Sequence, residues 1–398
     1  MRKIAVSIAA AAAVLIGFAP QADAQVWIRR PLGDIDFEFY RRKPDTVSVY
    51  ILGDVMSHGA MMRSAHGKWL DANPGADDNP SDSRQYDYSD FFLHLRGRIE
   101  GADIAVCNME FPLAGPPFQG YPSFSGPDSY PDYLAAEGFD LITLANNHIL
   151  DQGLPGLNRT VRICRDVSAR TGMAVTGIAA DKVEDEAVNP AILESRGIRI
   201  AFIGFTYGTN SGPLVDWPKV CRMDKGDILR QIGRARDKGA DFIVALPHWG
   251  VEYAHNHSSS QEEWARWLAS NGVDAIVGSH PHVPQDTCLI GRVPVIYSIG
   301  NAVSNQNDLP ARLELGAALR FLIHSNGFKE LLDARTEYLW CTKPGMIEES
   351  YTVIPVREFI STPERWRVPG DWNNMVNTYR AVQNKTKLYE ENHPSGSH

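Results

Sequence analysis

Val47-Ser48-Val49-Tyr50-Ile51-Leu52-Gly53-Asp54 is an apolar run that ends on a glycine and a carboxylate. It is Val/Ile/Leu-rich at nearly every position rather than strictly alternating, as a strand covered on both faces requires. Similar runs recur at 103–107, 141–144, 198–205, 242–246, 275–277 and 295–297. Helical spacing fills the gaps between them. Phe91, Phe92, Leu95 and Ile99 form one stripe, Leu157, Val161, Cys164 and Val167 a second, and Trp264, Trp267 and Leu268 a third. A fourth helix is expected over 224–238. Alternating β and α runs specify an α/β layered domain.

Working outward, Pro/Gly-rich loops are expected around 71–85 and 112–131, and an insertion around 207–223. Loops of that length in a compact domain are usually functional or mobile. Beyond residue 310 the runs 311–324, 328–341 and 349–356 alternate, which predicts antiparallel strands closing the sheet. The polar C-terminal forty residues predict a helix over 363–389 and a polar tail. The division that follows is a signal peptide at 1–24, an extended lead-in at 25–45, one domain at 46–356 and a C-terminal helix and tail at 357–398.

Six strand ends carry chemistry. The first runs into Asp54, the second into Asn108-Met109-Glu110 and the third into Asn146-Asn147-His148. Others run into His248, into Gly278-Ser279-His280-Pro281-His282, and into Gly300-Asn301. In layered α/β folds the carboxyl ends of strands share one edge, where ligands bind. Singly, each residue has an ordinary explanation as a turn, a cap or a hydrogen-bonded core group. His-x-His is stronger, because residues i and i+2 of an extended segment point the same way. Together they supply oxygen and nitrogen donors without thiolate, a set suited to Mn, Fe or Zn. Two such ions, about 3.5–4 Å apart, would generate a nucleophile from water and clamp the attacking and leaving oxygens.

These motifs, with Val55-Met56, Asp151, Gly153, Trp249 to Tyr253, Val283, Gln285 and Tyr297 to Asn301, resemble the CapA family. That family is the poly-γ-glutamate capsule-synthesis branch of the calcineurin-like metallophosphatases. The resemblance covers about residues 46–306, in order, and implies a four-layer αββα sandwich with a dinuclear metal site at one edge. It implies that Asp54 and His282 bind the first ion, that Glu110 bridges, and that Asn147, His248 and His280 hold the second. His148 would be the general acid, a role suited to an imidazole titrating near neutrality.

One position departs from the wider superfamily, which has a histidine where this chain has Met56, a poor ligand for hard metals. His58 is near enough to substitute, although a solvated loop histidine is the expected reading. Glu252 and Tyr253 either line the substrate pocket or support it by hydrogen bonds. Asn301 either donates to a bound oxyanion or stabilises its own turn. Asp151 either orients His148 or, as expected here, caps the following helix. His255 and His257 read as solvated. No Gly-rich phosphate loop is present.

Bulk features narrow the classes further. Arg2 and Lys3, the apolar run 4–19 and Ala22-Asp23-Ala24 have the order of a cleavable signal peptide. The run falls short of the roughly 20 residues that span a bilayer. A periplasmic or secreted chain beginning near Gln25 is expected, with a membrane-anchored form less favoured. Removing Arg2, Lys3 and Asp23 takes the formal charge from −9 to −10, which argues against nucleic acid as a partner. Five separated cysteines without CxxC exclude a zinc knuckle; an oxidising compartment permits one or two disulfides, and Cys107 reads as a buried thiol. Two functions fit. One is a hydrolase acting on a phosphoester or related bond. The other is a non-catalytic accessory that grips an anionic polymer through its metals, with a membrane-bound synthase complex as a partner.

Overall fold

Thr46–Val55 is covered on both faces. Val47, Val49 and Ile51 point into an apolar cluster with Ile200, Phe202 and Val244, whereas Tyr50 and Leu52 pack with Phe91, Leu144 and Leu157 on the other side. That double burial is why the run does not alternate. The computed structural model describes residues 46–212 and 215–392, so the expected signal peptide, the lead-in and the last six residues lie outside the described residues.

Around this strand an eight-stranded sheet forms. Ile104–Met109, Leu141–Thr143 and Ala174–Thr176 follow it in parallel on one side. On the other side Leu313–Ile323, Lys329–Thr342 and Thr352–Pro355 run antiparallel, closing the sheet as expected. Asn301–Val303 pairs in parallel with the end that carries Asp54. The second sheet has six strands, ordered Thr287–Ile290, Val293–Ile296, Ala275–Val277, Phe242–His248, Ile198–Thr206 and Ala191–Ser195. Its inner four are parallel and both edges antiparallel.

Residues of both sheets share the central cluster. Gly59–Ala72, Tyr130–Ala136 and Gly153–Thr171 cover the outer face of the first sheet through Met61, Leu134 and Leu157. Lys225–Asp237 and Ser259–Ser270 cover the second through Ile228, Ile232 and Leu268. The order is helix, sheet, sheet, helix, the four-layer α/β arrangement.

The stripe at 91–99 is buried but is not one helix, since only Arg96–Ile99 is helical. The main-chain carbonyls of Asp90 and Phe91 accept from Thr352 Oγ1 (2.5 Å) and Val353 N–H (2.9 Å). Those bonds divert groups a helix would use. Downstream, Pro363–Arg365 is a separate 3₁₀ turn and the long helix is Pro369–Asn392. All five cysteines are buried and free, so no disulfide forms. Among the described residues no helix is long and apolar enough to cross a membrane.

The last helix is pinned by a buried ion pair. Arg312 donates to both oxygens of Asp371 at 2.8 and 2.9 Å, and its guanidinium lies 4.5 Å from the Trp340 ring centre. Asp371→Ala strands a buried guanidinium and is expected to cost about 3–5 kcal/mol, read by urea unfolding. An Arg312→Met/Asp371→Leu double variant should recover most of that loss. Equal instability of the double variant would show that the pair does more than neutralise itself.

Candidate metal centre

Close backbone packing brings the strand ends together. Asp54 lies opposite both Asn108 and Asn301 on the neighbouring parallel strands. A Cβ on Gly53 would sit 1.9 Å from the Gly300 carbonyl oxygen, so only glycine admits that crossing. Glu110 follows its strand and donates its main-chain N–H to Val55 O at 3.0 Å. From the second sheet His248 ends a strand, and Ser279 N–H donates to Pro247 O (2.9 Å), which draws the His-x-His segment alongside. Asp54, Glu110, Asn147, His248, His280 and His282 are all buried at this one edge.

Their ligand atoms gather in two groups, Asp54–Glu110–His282 and Glu110–His248–His280, within each of which the atoms lie 4.8 Å or less apart. Glu110 belongs to both. Asp54 accepts from Asn108 Nδ2 (2.6 Å) and from the His280 main-chain N–H (3.1 Å). His282 Nδ1 donates to Asn301 Oδ1 (2.9 Å), which leaves Nε2 with its lone pair. His248 has Asn147 Oδ1 at 2.7 Å from Nε2 and Ser279 Oγ at 3.0 Å from Nδ1. A serine hydroxyl takes either role, so the ring can release Nε2 by carrying its proton on Nδ1.

The electrostatics call for a cation. Both carboxylate oxygens of Glu110 are buried without a hydrogen bond, and so is His280 Nδ1. Burial, then the neighbouring Asp54, pushes the Glu110 pKa well above the usual range. Burial lowers that of His280, aided by the adjacent imidazoles, and that of His248 to about 4. Unpaired donors of this kind, clustered and dry, fit divalent ions. His148 behaves differently. Burial opposes its charge, but the Asp151 hydrogen bond (2.8 Å) and the Glu110 charge win, and its pKa is raised.

Residues 48–306 match the family model described as bacterial capsule synthesis protein PGA_cap. The chain belongs to that family. It is 28% identical to the capsule biosynthesis protein CapA of Bacillus anthracis, over 59% of this chain and 58% of that one. The PGA biosynthesis protein CapA of Bacillus subtilis is 29% identical over 48% of each. This PGA_cap chain thus spans about half the length of these curated relatives. Among solved structures, the calcineurin-like phosphoesterase YfkN of Bacillus subtilis aligns with 87% of this chain and 98% of its own, at 16% identity and a TM-score of 0.43.

Several residues of the PGA_cap chain sit otherwise than expected. Asn301 is fully buried, its Oδ1 accepting from His282 and its Nδ2 donating to Ala311 O (3.0 Å), so it orients the His282 ring. Asp151 does not cap; the helix N-cap is Gln152, and the Asp151 carboxylate accepts from His148 and Phe124 N–H (2.9 Å). His257 is not solvated, since it is held by Asp286 at 2.8 Å and stacked on Tyr297 at 3.9 Å. His255 is half-buried. Met56 packs into the apolar core. His58 is half-buried beside Phe124, at 5.4 Å between rings.

Glu252 and Tyr253 are exposed, Tyr253 with its ring 5.9 Å from His282. His280, His282 and Tyr253 adopt positive φ (95°, 59° and 63°), a cost that recurs where function fixes the backbone. The sequence reading missed Tyr207, whose ring lies 4.6 Å from that of His280, and Asn210, which donates its main-chain N–H to Asn147 O (2.8 Å). It also missed Glu314, whose oxygens are buried without a hydrogen bond; burial pushes its pKa well up, against the pull of Arg312. A hydrophobic strand hides such a carboxylate.

The depressed histidines set a pH dependence. Unfolded, His248 and His58 take up protons near 6.5; folded, both do so only near 4. At these two groups the unfolded state therefore binds more protons below pH 6.5, and their contribution to stability is lost as pH drops toward 4, against the opposite contribution of the raised Glu110 and Glu314. NMR titration of chelator-treated protein should show both rings protonating only near pH 4. A midpoint near 6.5 for either ring would contradict the depressed values.

Proposed function

We propose that this chain is an exported, metal-dependent hydrolase of anionic-polymer capsule biosynthesis, of the poly-γ-glutamate type, acting on a phosphoester or a related bond. The observation that carries the reading is Glu110, buried and unbonded where two groups of donors meet. Asp54 and His282 would hold one divalent ion (Mn, Fe or Zn), and Asn147, His248 and His280 a second, with Glu110 shared. When bound, such ions polarise the scissile group and lower the pKa of water. His148, oriented by Asp151 and with its pKa raised, would donate its proton to the leaving oxygen. Asn301 fixes the tautomer of His282, and Asn108 fixes Asp54. Tyr207 and Tyr253 are exposed beside His280 and His282, which supports a substrate-contacting role for them and for the exposed Glu252. The order of residues 2–24 supports export.

Met56 favours a second reading. Its place in the apolar core leaves one of the two groups with only Asp54, Glu110 and His282. A metal-dependent accessory that grips polymer carboxylates, docked on a membrane-bound synthase, needs no second strong ion. Metal analysis of the purified protein, with turnover of phosphoesters and poly-γ-glutamate, separates the two. The hydrolase reading expects two ions and a loss of about 10²–10⁴-fold in kcat for His148→Ala. Polymer binding without turnover of any substrate would establish the accessory.

A further inference from the structure

We propose that His58 is a hydrogen-bond donor to the substrate through Nε2–H, rather than a metal ligand replacing the imidazole that Met56 displaces. The inference rests on the hydrolytic reading above and adds a positioning residue to it.

The tautomer is fixed by the main chain. Asn305 N–H donates to His58 Nδ1 at 3.2 Å. A main-chain N–H only donates, so Nδ1 is unprotonated and the neutral ring carries its proton on Nε2. A ligand nitrogen must present a lone pair. For Nε2 to do so the proton would have to move to Nδ1, against the Asn305 N–H, and that bond would become a clash. His248 is freer in this respect, because its Nδ1 faces a hydroxyl that accepts as readily as it donates.

Placement puts the ring beside the site, with His282 and His148 among its charged neighbours. His58 meets the Phe124 ring edge-on at 5.4 Å and 77°, and His148 meets the same ring at 4.7 Å and 87°. The two imidazoles therefore flank one phenyl ring, which Phe124 N–H fixes by donating to Asp151, the carboxylate that also orients His148. Gly120 packs against the backbone of the same segment, since a Cβ there would sit 2.3 Å from Gly59 N. Among the described residues Nε2 of His58 has no hydrogen-bond partner.

The two rings divide the work. Burial, then the charges of His282, His148 and Lys343, holds His58 neutral, with a pKa near 4. It keeps its proton at neutral pH and cannot supply a second. His148, held by Asp151 at 2.8 Å, is the group assigned above to release one. A fixed neutral donor suits a non-bridging oxygen of a phosphoryl or carboxyl group, which stays anionic throughout the reaction.

Three variants decide the matter. His58→Gln places an amide N–H near the ε nitrogen; His58→Asn reaches only the δ position; His58→Phe keeps the ring packing without a donor. Each would be purified, analysed for Mn, Fe and Zn, titrated with inorganic phosphate, and assayed on p-nitrophenyl phosphate. Wild-type metal content is expected in all three. Phosphate affinity and kcat/KM should fall on the order of 10- to 100-fold in the Phe and Asn variants and return to within about fivefold of wild type in the Gln variant. Loss of metal in His58→Phe would overturn the proposal, because His58 would then be a ligand. Equal loss in Gln and Phe would overturn it too, since the ring itself would be required. If the wild type turns over no substrate, the hydrolytic reading falls, while the phosphate titration still decides whether His58 donates.

Discussion

One carboxylate ties the two sheets together. Asp54 ends the central strand of the first sheet, accepting from Asn108 on the adjacent strand through one oxygen and from the His280 main chain through the other. His280 follows a strand of the second sheet. A fully buried carboxylate is tolerable only where donors meet it, so the sandwich must align until both layers reach it. Bonds to a charged acceptor are worth about 1.5–3 kcal/mol each. The alignment of the layers and the assembly of the site are thus one event, and the close passage of Gly53 beneath Gly300 is its steric condition.

With the edges aligned, charge accumulates. Asp54 and Glu110 are dry, and His148, His248, His280 and His282 stand around them. Proton sharing relieves this in part, through a raised Glu110 and lowered His248 and His280. Protonated, Glu110 can hydrogen-bond to Asp54, but His280 Nδ1 still has no partner. The centre stores an unmet demand for positive charge, and a divalent cation meets it more completely than protons can.

What was legible in the sequence was local. A strand buried on both faces announces itself by its own residues, and so does the polar residue at its end, which is why 47–52 and Asp54 read correctly as a unit. What escaped depended on partners distant in the chain. Asn301 reads the same whether its amide faces a ligand or a ring; only the approach of His282 and Ala311 decides. His257 and His58 sit among serines and glycines and look wet. Asp286 and Tyr297 cover the first, and Phe124 and Asn305 hold the second. The 91–99 stripe has helical spacing, but its carbonyls are claimed by a strand some 260 residues later. Periodicity reports which side chains are buried and leaves open where the backbone finds its hydrogen bonds.

The cysteines bear on the environments this domain tolerates. Thiol exchange and oxidation proceed through the thiolate, formed where a thiol meets solvent or positive charge. Here all five thiols are buried, and burial raises the pKa of Cys107, Cys164, Cys221 and Cys341, the last two to about 12. No cross-link contributes to the fold and no nucleophilic sulfur is offered to an oxidant. Formation of the sandwich therefore does not depend on a cross-link, and packing, buried hydrogen bonds and the Arg312–Asp371 pair hold it together.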